Sequence, residues 1–89
     1  VTHNTSFANG AGIRNLGSLV LRDSAVTRNS SLLSGGGIWN SGSARLVDSR
    51  IANNTAALDG GGVANVAPGF VELVRTAVAA NSPDNCSGC

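Results

Sequence analysis

Val1-Thr2-His3-Asn4-Thr5, Val26-Thr27-Arg28-Asn29-Ser30 and Ile51-Ala52-Asn53-Asn54-Thr55 are three versions of one phrase, and a worn fourth begins at Val78. The starts lie 25, 25 and 27 residues apart. Self-similarity at a fixed period of about 20 to 50 residues marks a repeat architecture, in which each unit buries a face that it cannot bury alone against its neighbour. Inside a unit the apolar residues alternate over short runs, as in Ala44-Arg45-Leu46-Val47, and Gly, Asn, Asp or Ser interrupts them every few residues. This is the pattern of short strands joined by tight bends, and helical spacing is nowhere sustained. Such a unit makes one turn of a coil whose strands pair in parallel with those above and below. Strands are expected near residues 11–15, 18–22 and 24–28, then 36–40, 43–47 and 49–53, then 61–65, 70–74 and 76–80. Coils about 4.8 Å apart would stack about three and a half turns into a rod roughly 17 Å long.

Aligning the units gives aliphatic columns: Ile13, Ile38 and Val63; Leu19, Ala44 and Val71; Leu21, Leu46 and Leu73; Val26, Ile51 and Val78. Polar columns recur beside them. Asn15, Asn40 and Asn65 follow the first-strand aliphatic by two, and Asn4, Asn29, Asn54 and Asn81 follow the third-strand aliphatic by three. Amides stacked at bends can donate from coil to coil, so both columns are expected to form Asn ladders that satisfy buried polar groups. Ser24, Ser49 and Thr76 make a third inward column whose hydroxyls can bond the backbone. Gly35-Gly36-Gly37 and Gly60-Gly61-Gly62, with Gly10-Ala11-Gly12 as a weaker copy, belong at the corner where one coil passes into the next. Phe7, Leu32, Leu33 and Leu58 precede that corner and are expected to wedge beneath it. The longer third unit gains its residues around Val66-Ala67-Pro68-Gly69, a Pro-Gly turn signal for a slightly larger outward loop.

The chain starts in mid-repeat without Met and reads as a single segment of a longer solenoid, with repeats at 1–25, 26–50 and 51–77 and a partial one at 78–89. Hydrophobic residues make up 42% of it but only two Phe and one Trp are aromatic, so stacked Val, Leu, Ile and Ala must fill a narrow core. The six basic residues are all Arg, set against five acids, with no basic cluster. Nucleic acid and anionic membranes both call for such a cluster, and no apolar run approaches the roughly 18 residues of a membrane span.

The phrases Gly-Gly-Gly-Ile-Trp-Asn-Ser-Gly at 35–42, Leu46-Val47-Asp48-Ser49 and Ile51-Ala52-Asn53-Asn54-Thr55 resemble the right-handed parallel β-helix repeats of secreted bacterial proteins, which are related in architecture to pectate lyases. They are also similar to the Gly-Gly-x-Ile and x-x-Asn repeats of polymorphic outer-membrane proteins. The resemblance covers essentially the whole chain. It implies an all-β, right-handed parallel β-helix solenoid in a secreted or cell-surface bacterial protein. That architecture hosts lyases, hydrolases, adhesins and passenger stalks alike. A lyase of this type would imply an acidic cluster holding calcium and a basic residue abstracting a proton. Of Asp23, Asp48, Asp59, Glu72 and Asp84, only the first two share a column, so no lyase residues carry over. The expected function is a non-catalytic scaffold or adhesive segment facing a polysaccharide or host surface, with neighbouring coils of the parent chain as its structural partners. The rival is the stalk of a polysaccharide lyase or glycoside hydrolase whose active site lies outside this segment. No cofactor is expected.

Individual residues offer sharper chemistry, each beside a structural alternative. Asp23 and Asp48 could pair on adjacent coils as acid and nucleophile or as a cation site, but Asp-Ser is a common turn opener and Arg75 continues their column and would neutralise Asp48. Arg45 and Glu72 are a second cross-coil pair, worth little at the surface. Trp39 is the only Trp and is expected to point outward, available to stack on a sugar, with Arg14 in its column as the alternative partner. His3 has no companion ligands for a metal. Thr5, Ser30, Thr55 and Ser82 form one hydroxyl column, too narrow to make an ice-binding face. Asn4-Thr5-Ser6, Asn29-Ser30-Ser31 and Asn53-Asn54-Thr55 match the glycosylation acceptor pattern, but the first two place the acceptor in the inward ladder. Cys86 and Cys89 form a C-x-x-C pair with no helix start to activate a thiolate and too few ligands for zinc. They are expected to form a structural disulfide, within the pair or, for one cysteine, to a partner elsewhere.

Overall fold

The computed structural model describes residues 5–6, 10 and 12–88. His3, Asn4, Phe7, Ala11 and Cys89 lie outside the described residues. The fold is an all-β parallel solenoid of about three turns. Its strands are β1 (Thr5–Ser6), β2 (Ile13–Asn15), β3 (Ser18–Arg22), β4 (Ala25–Thr27), β5 (Ser30–Ser31), β6 (Ile38–Asn40) and β7 (Ser43–Val47). There follow β8 (Arg50–Ala52), β9 (Thr55–Ala56), β10 (Val63–Asn65), β11 (Phe70–Val74), β12 (Ala77–Ala79) and β13 (Cys86–Ser87). No helix occurs among the described residues, so none is long and apolar enough to cross a membrane.

Among the described residues four parallel sheets run along the stack, in the orders β13-β10-β6-β2, β11-β7-β3, β12-β8-β4 and β1-β5-β9. The first three carry the aliphatic columns: Ile13 pairs with Ile38 and Ile38 with Val63, Leu21 with Leu46 and Leu46 with Leu73, Val26 with Ile51 and Ile51 with Val78. The second-sheet strands span 18–22, 43–47 and 70–74 end to end. Strands of the third sheet are shorter than the alternation suggests because left-handed residues bracket them. Asp23, Asp48 and Arg75 precede them with φ of 49°, 51° and 45°, and Arg28, Asn53 and Ala80 follow with φ of 54°, 57° and 57°. A residue in that region cannot continue a ladder, so each bend clips a strand at both ends. The fourth sheet, of two-residue strands, joins Thr5 to Ser30 and Ser30 to Thr55, and an isolated bridge carries it on to Ser82.

The core is thickest in the middle coil. Val26, Ile38, Leu46, Ile51 and Val63 form one cluster, each no more than 1% exposed, with Ile13, Leu19, Leu21, Val71, Val78 and Cys86 packed against it. Each fully buried aliphatic contributes about 1.5–3 kcal/mol relative to exposure. Burial fades toward the ends of a column: Leu46 is fully buried but Leu73, in register on the next coil, is 42% exposed, because among the described residues no further second-sheet strand covers it.

The corner corrects one expectation. Leu32, Leu33 and Leu58 do not wedge beneath the glycines; they are 51%, 38% and 63% exposed. Backbone already fills that space. A Cβ on Gly36 would collide with the Thr55 carbonyl oxygen and lie 2.5 Å from that of Gly61. At the third coil, Gly69 N–H donates to the Val66 carbonyl at 2.7 Å and closes an exposed loop around Ala67 and Pro68.

Candidate functional site

Most of the polar residues singled out by the repeat are taken up in cross-coil bonding. At the first bend the Nδ2 of Asn15 donates to the Oδ1 of Asn40 at 2.7 Å, and the Nδ2 of Asn40 to the Oδ1 of Asn65 at 2.9 Å. The same amides donate to the Ser43 and Phe70 carbonyls. At the later bend each carboxamide oxygen takes two bonds. Oδ1 of Asn54 accepts from the backbone N–H and the Nδ2 of Asn29 at 2.9 and 3.0 Å, and Oδ1 of Asn81 accepts the same pair from Asn54. Nδ2 of Asn54 also reaches the Val26 carbonyl and that of Asn81 the Ile51 carbonyl. Asn29, Asn40 and Asn54 are at most 1% exposed, so Asn29 is no accessible glycosylation acceptor. The hydroxyl column behaves similarly: Ser49 Oγ accepts from Ser24 N–H, and Thr76 Oγ1 accepts from Ser49 N–H, each at 3.3 Å.

The outward columns form three arrangements. The Arg14 guanidinium lies 5.2 Å from the ring centroid of Trp39, one coil away in register, and the indole is half-buried. Arg45 and Glu72 approach to 3.6 Å with both side chains about half exposed, a pair worth at most about 1 kcal/mol. Arg75 grips Asp48 with two bonds, Nε to Oδ1 at 2.6 Å and Nη2 to Oδ2 at 3.2 Å.

The Asp48–Arg75 pair lies in a shallow groove of about 610 Å³ at the bend between the second and third sheets, lined also by Asp23, Ser24, Ser49 and Arg50. The left-handed backbone at Asp23, Asp48 and Arg75 turns this column of side chains to the outside of the bend. Hydrogen bonding to Arg75 holds the Asp48 carboxyl below the usual aspartate range, with partial desolvation opposing it and the charges of Arg75 and Arg22 reinforcing it. A depressed folded-state pKa contributes stability that is present above the ordinary aspartate value and is lost as pH falls through the depressed one. The melting temperature of the parent should therefore exceed that of Asp48→Asn by a constant margin above about pH 5, and the two curves should converge in acid. Added salt should shrink the margin, since both side chains are exposed.

Three participants escape the column alignment. Ser34 Oγ donates to Oδ1 of Asp59 at 2.5 Å, Oδ1 of Asp84 accepts from Gly60 N–H at 2.6 Å, and Oδ1 of Asn85 accepts from Asn81 N–H at 3.1 Å. Asp59 could have been found one period after Ser34; Asp84 and Asn85 fall where the period breaks. Cys86 pairs with Val63 and takes the core position of that column, while Cys89 lies outside the described residues. Among the described residues no group of three or more His, Cys, Asp or Glu side chains converges as a metal site. No protein-family model, curated protein or solved structure matches this chain.

Proposed function

We propose that this chain is a non-catalytic scaffold or adhesive segment of a secreted or cell-surface bacterial β-helix protein, with a glycan-facing side at Trp39. The observation that supports it is how the acids are used. Asp48 and Glu72 pair with arginines of adjacent coils, Asp59 holds Ser34, and Asp84 holds backbone amides of the glycine corner. Four of the five acids thus tie one coil to another, which is the work of a stalk or display surface. Arg14 lies over one face of the Trp39 ring, so a sugar would have to displace it or stack on the other face, with the guanidinium fork free to donate to its hydroxyls. The Cys86–Cys89 pair belongs to the same reading as a disulfide formed in an oxidising compartment; intact mass before and after reduction and alkylation tests it.

The function test is a glycan array probed with the chain and with Trp39→Ala. Trp39→Ala should weaken the best ligand roughly fivefold, the equivalent of about 1 kcal/mol of stacking. Equal binding by both proteins removes Trp39 from the reading. Release of unsaturated or reducing-end products from uronate or neutral polysaccharides by the chain itself would overturn the non-catalytic assignment. Release by a longer parent protein alone would favour the enzyme-stalk alternative.

A further inference from the structure

Residues 82–88 do not complete a coil. From Thr55 in the fourth sheet to Val63 in the first is a step of eight residues, but their register partners Ser82 and Cys86 are only four apart. The shortened segment nevertheless satisfies the same groups that a full coil satisfies. In the middle of the stack the amides of Gly35, Gly36, Gly37 and Ile38 donate to the carbonyls of Asp59, Gly60, Gly61 and Gly62. One coil later the amides of Gly60 and Gly61 both donate to Oδ1 of Asp84, while those of Gly62 and Val63 donate to the carbonyls of Asp84 and Asn85.

The ladders end in the same way. Where Asn81 would require an asparagine one coil beyond it, Oδ1 of Asn85 accepts from both its N–H and its Nδ2, at 3.1 and 3.2 Å. Where Asn65 would donate to an asparagine on the next coil, it donates to the Gly88 carbonyl at 3.0 Å. Three separate columns are closed by atoms from one short segment.

We propose that residues 82–88 are a built-in cap, which occupies the acceptor positions of both asparagine ladders and of the glycine corner. A further coil or a second copy of the chain cannot continue those three columns in register while the cap is seated. At this end of the stack the longer edges left open to strand addition are those of β11 and β12, each of which has a partner on one side only among the described residues. The cap also leaves a two-residue edge strand, β13, on β10 in place of the three-residue strands below it, and short edges resist intermolecular pairing.

Amide hydrogen exchange of the full chain tests this, comparing the parent with Asp84→Ala, Asp84→Asn and Asn85→Ala. Asp84→Ala should accelerate exchange at Gly60 and Gly61 at least tenfold, and Asn85→Ala should do the same at Asn81. Asp84→Asn, which keeps a carbonyl oxygen in place, should retain most of the parent's protection. Light scattering should show concentration-dependent association rising in Asp84→Ala and Asn85→Ala relative to the parent. Folded Ala variants with the parent's exchange rates at these amides would overturn the cap. So would an Asp84→Asn variant as unprotected as Asp84→Ala, or association no greater than the parent's.

Discussion

Asn54→Asp should remove about 4 kcal/mol, much of the chain's stability, at neutral pH, although it changes one NH2 to one oxygen. Asn54 is 1% exposed, and its Nδ2 donates to the Val26 carbonyl at 2.9 Å and to Oδ1 of Asn81 at 3.0 Å. A carboxylate there would set an anionic oxygen against two acceptors inside the core, although its other oxygen could still accept from Asn29. Burying a charge while losing two donated bonds costs about 4 kcal/mol. A chain of this size has roughly 5–10 kcal/mol to lose. The pH dependence identifies the cause. Burial raises the pKa of the new carboxyl, so the folded state binds a proton more tightly than the unfolded state, and stability falls as pH rises between the two values. The variant should therefore be more stable at about pH 4 than at pH 7, and partly rescued in acid, where one oxygen can donate again. Asn53→Asp is the control: the neighbouring residue is exposed and left-handed, a conformation that Asp tolerates, and the change should stay within about 0.5 kcal/mol. Circular dichroism melts of both variants from acid to neutral pH measure the effect; equal melting temperatures would show that the ladder does not hold this fold together.

The reason so much of this stack is legible beforehand is geometric. A parallel solenoid brings residues one period apart into register, so a column in the alignment becomes a contact in space, as with Leu21 on Leu46 or Arg14 beside Trp39. Features without a periodic signature stay hidden. The β1-β5-β9 sheet has two residues per strand, and Ser30-Ser31 beside Thr55-Ala56 carries no apolar alternation to mark it. The strand β13 is hidden by the shortened step before it, which moves Cys86 off the repeat while the structure places it over Val63. Side-chain substitutes for backbone, such as Asp84 in place of two carbonyls, are visible only once the coil beneath them is known. Burial is the remaining gap: Leu46 and Leu73 occupy one column, but among the described residues only the first has strands on both sides.

Gly36→Ala should lower stability by about 2–3 kcal/mol, even though replacing Gly by Ala usually gains a fraction of a kcal/mol by restricting the unfolded chain. The conformation is not the obstacle, since Gly36 is not among the left-handed glycines of the corner. Space is. The Cβ would collide with the carbonyl oxygen of Thr55 and lie 2.5 Å from that of Gly61, and both are backbone atoms of the next coil. Gly61 N–H is bonded to Asp84, and the Gly61 carbonyl accepts from Gly37 N–H at 2.9 Å, so that backbone cannot withdraw without breaking the corner. The coils must separate locally, and the loss spreads to the neighbouring amide bonds. Gly17 supplies the contrast: a Cβ there meets nothing within 4 Å, so Gly17→Ala should be neutral within about 0.5 kcal/mol. Thermal melts should place Gly36→Ala roughly 10–20 °C below the parent and Gly17→Ala beside it. If the two variants melted together, close packing of successive glycine corners would not be what sets the approach of one coil to the next.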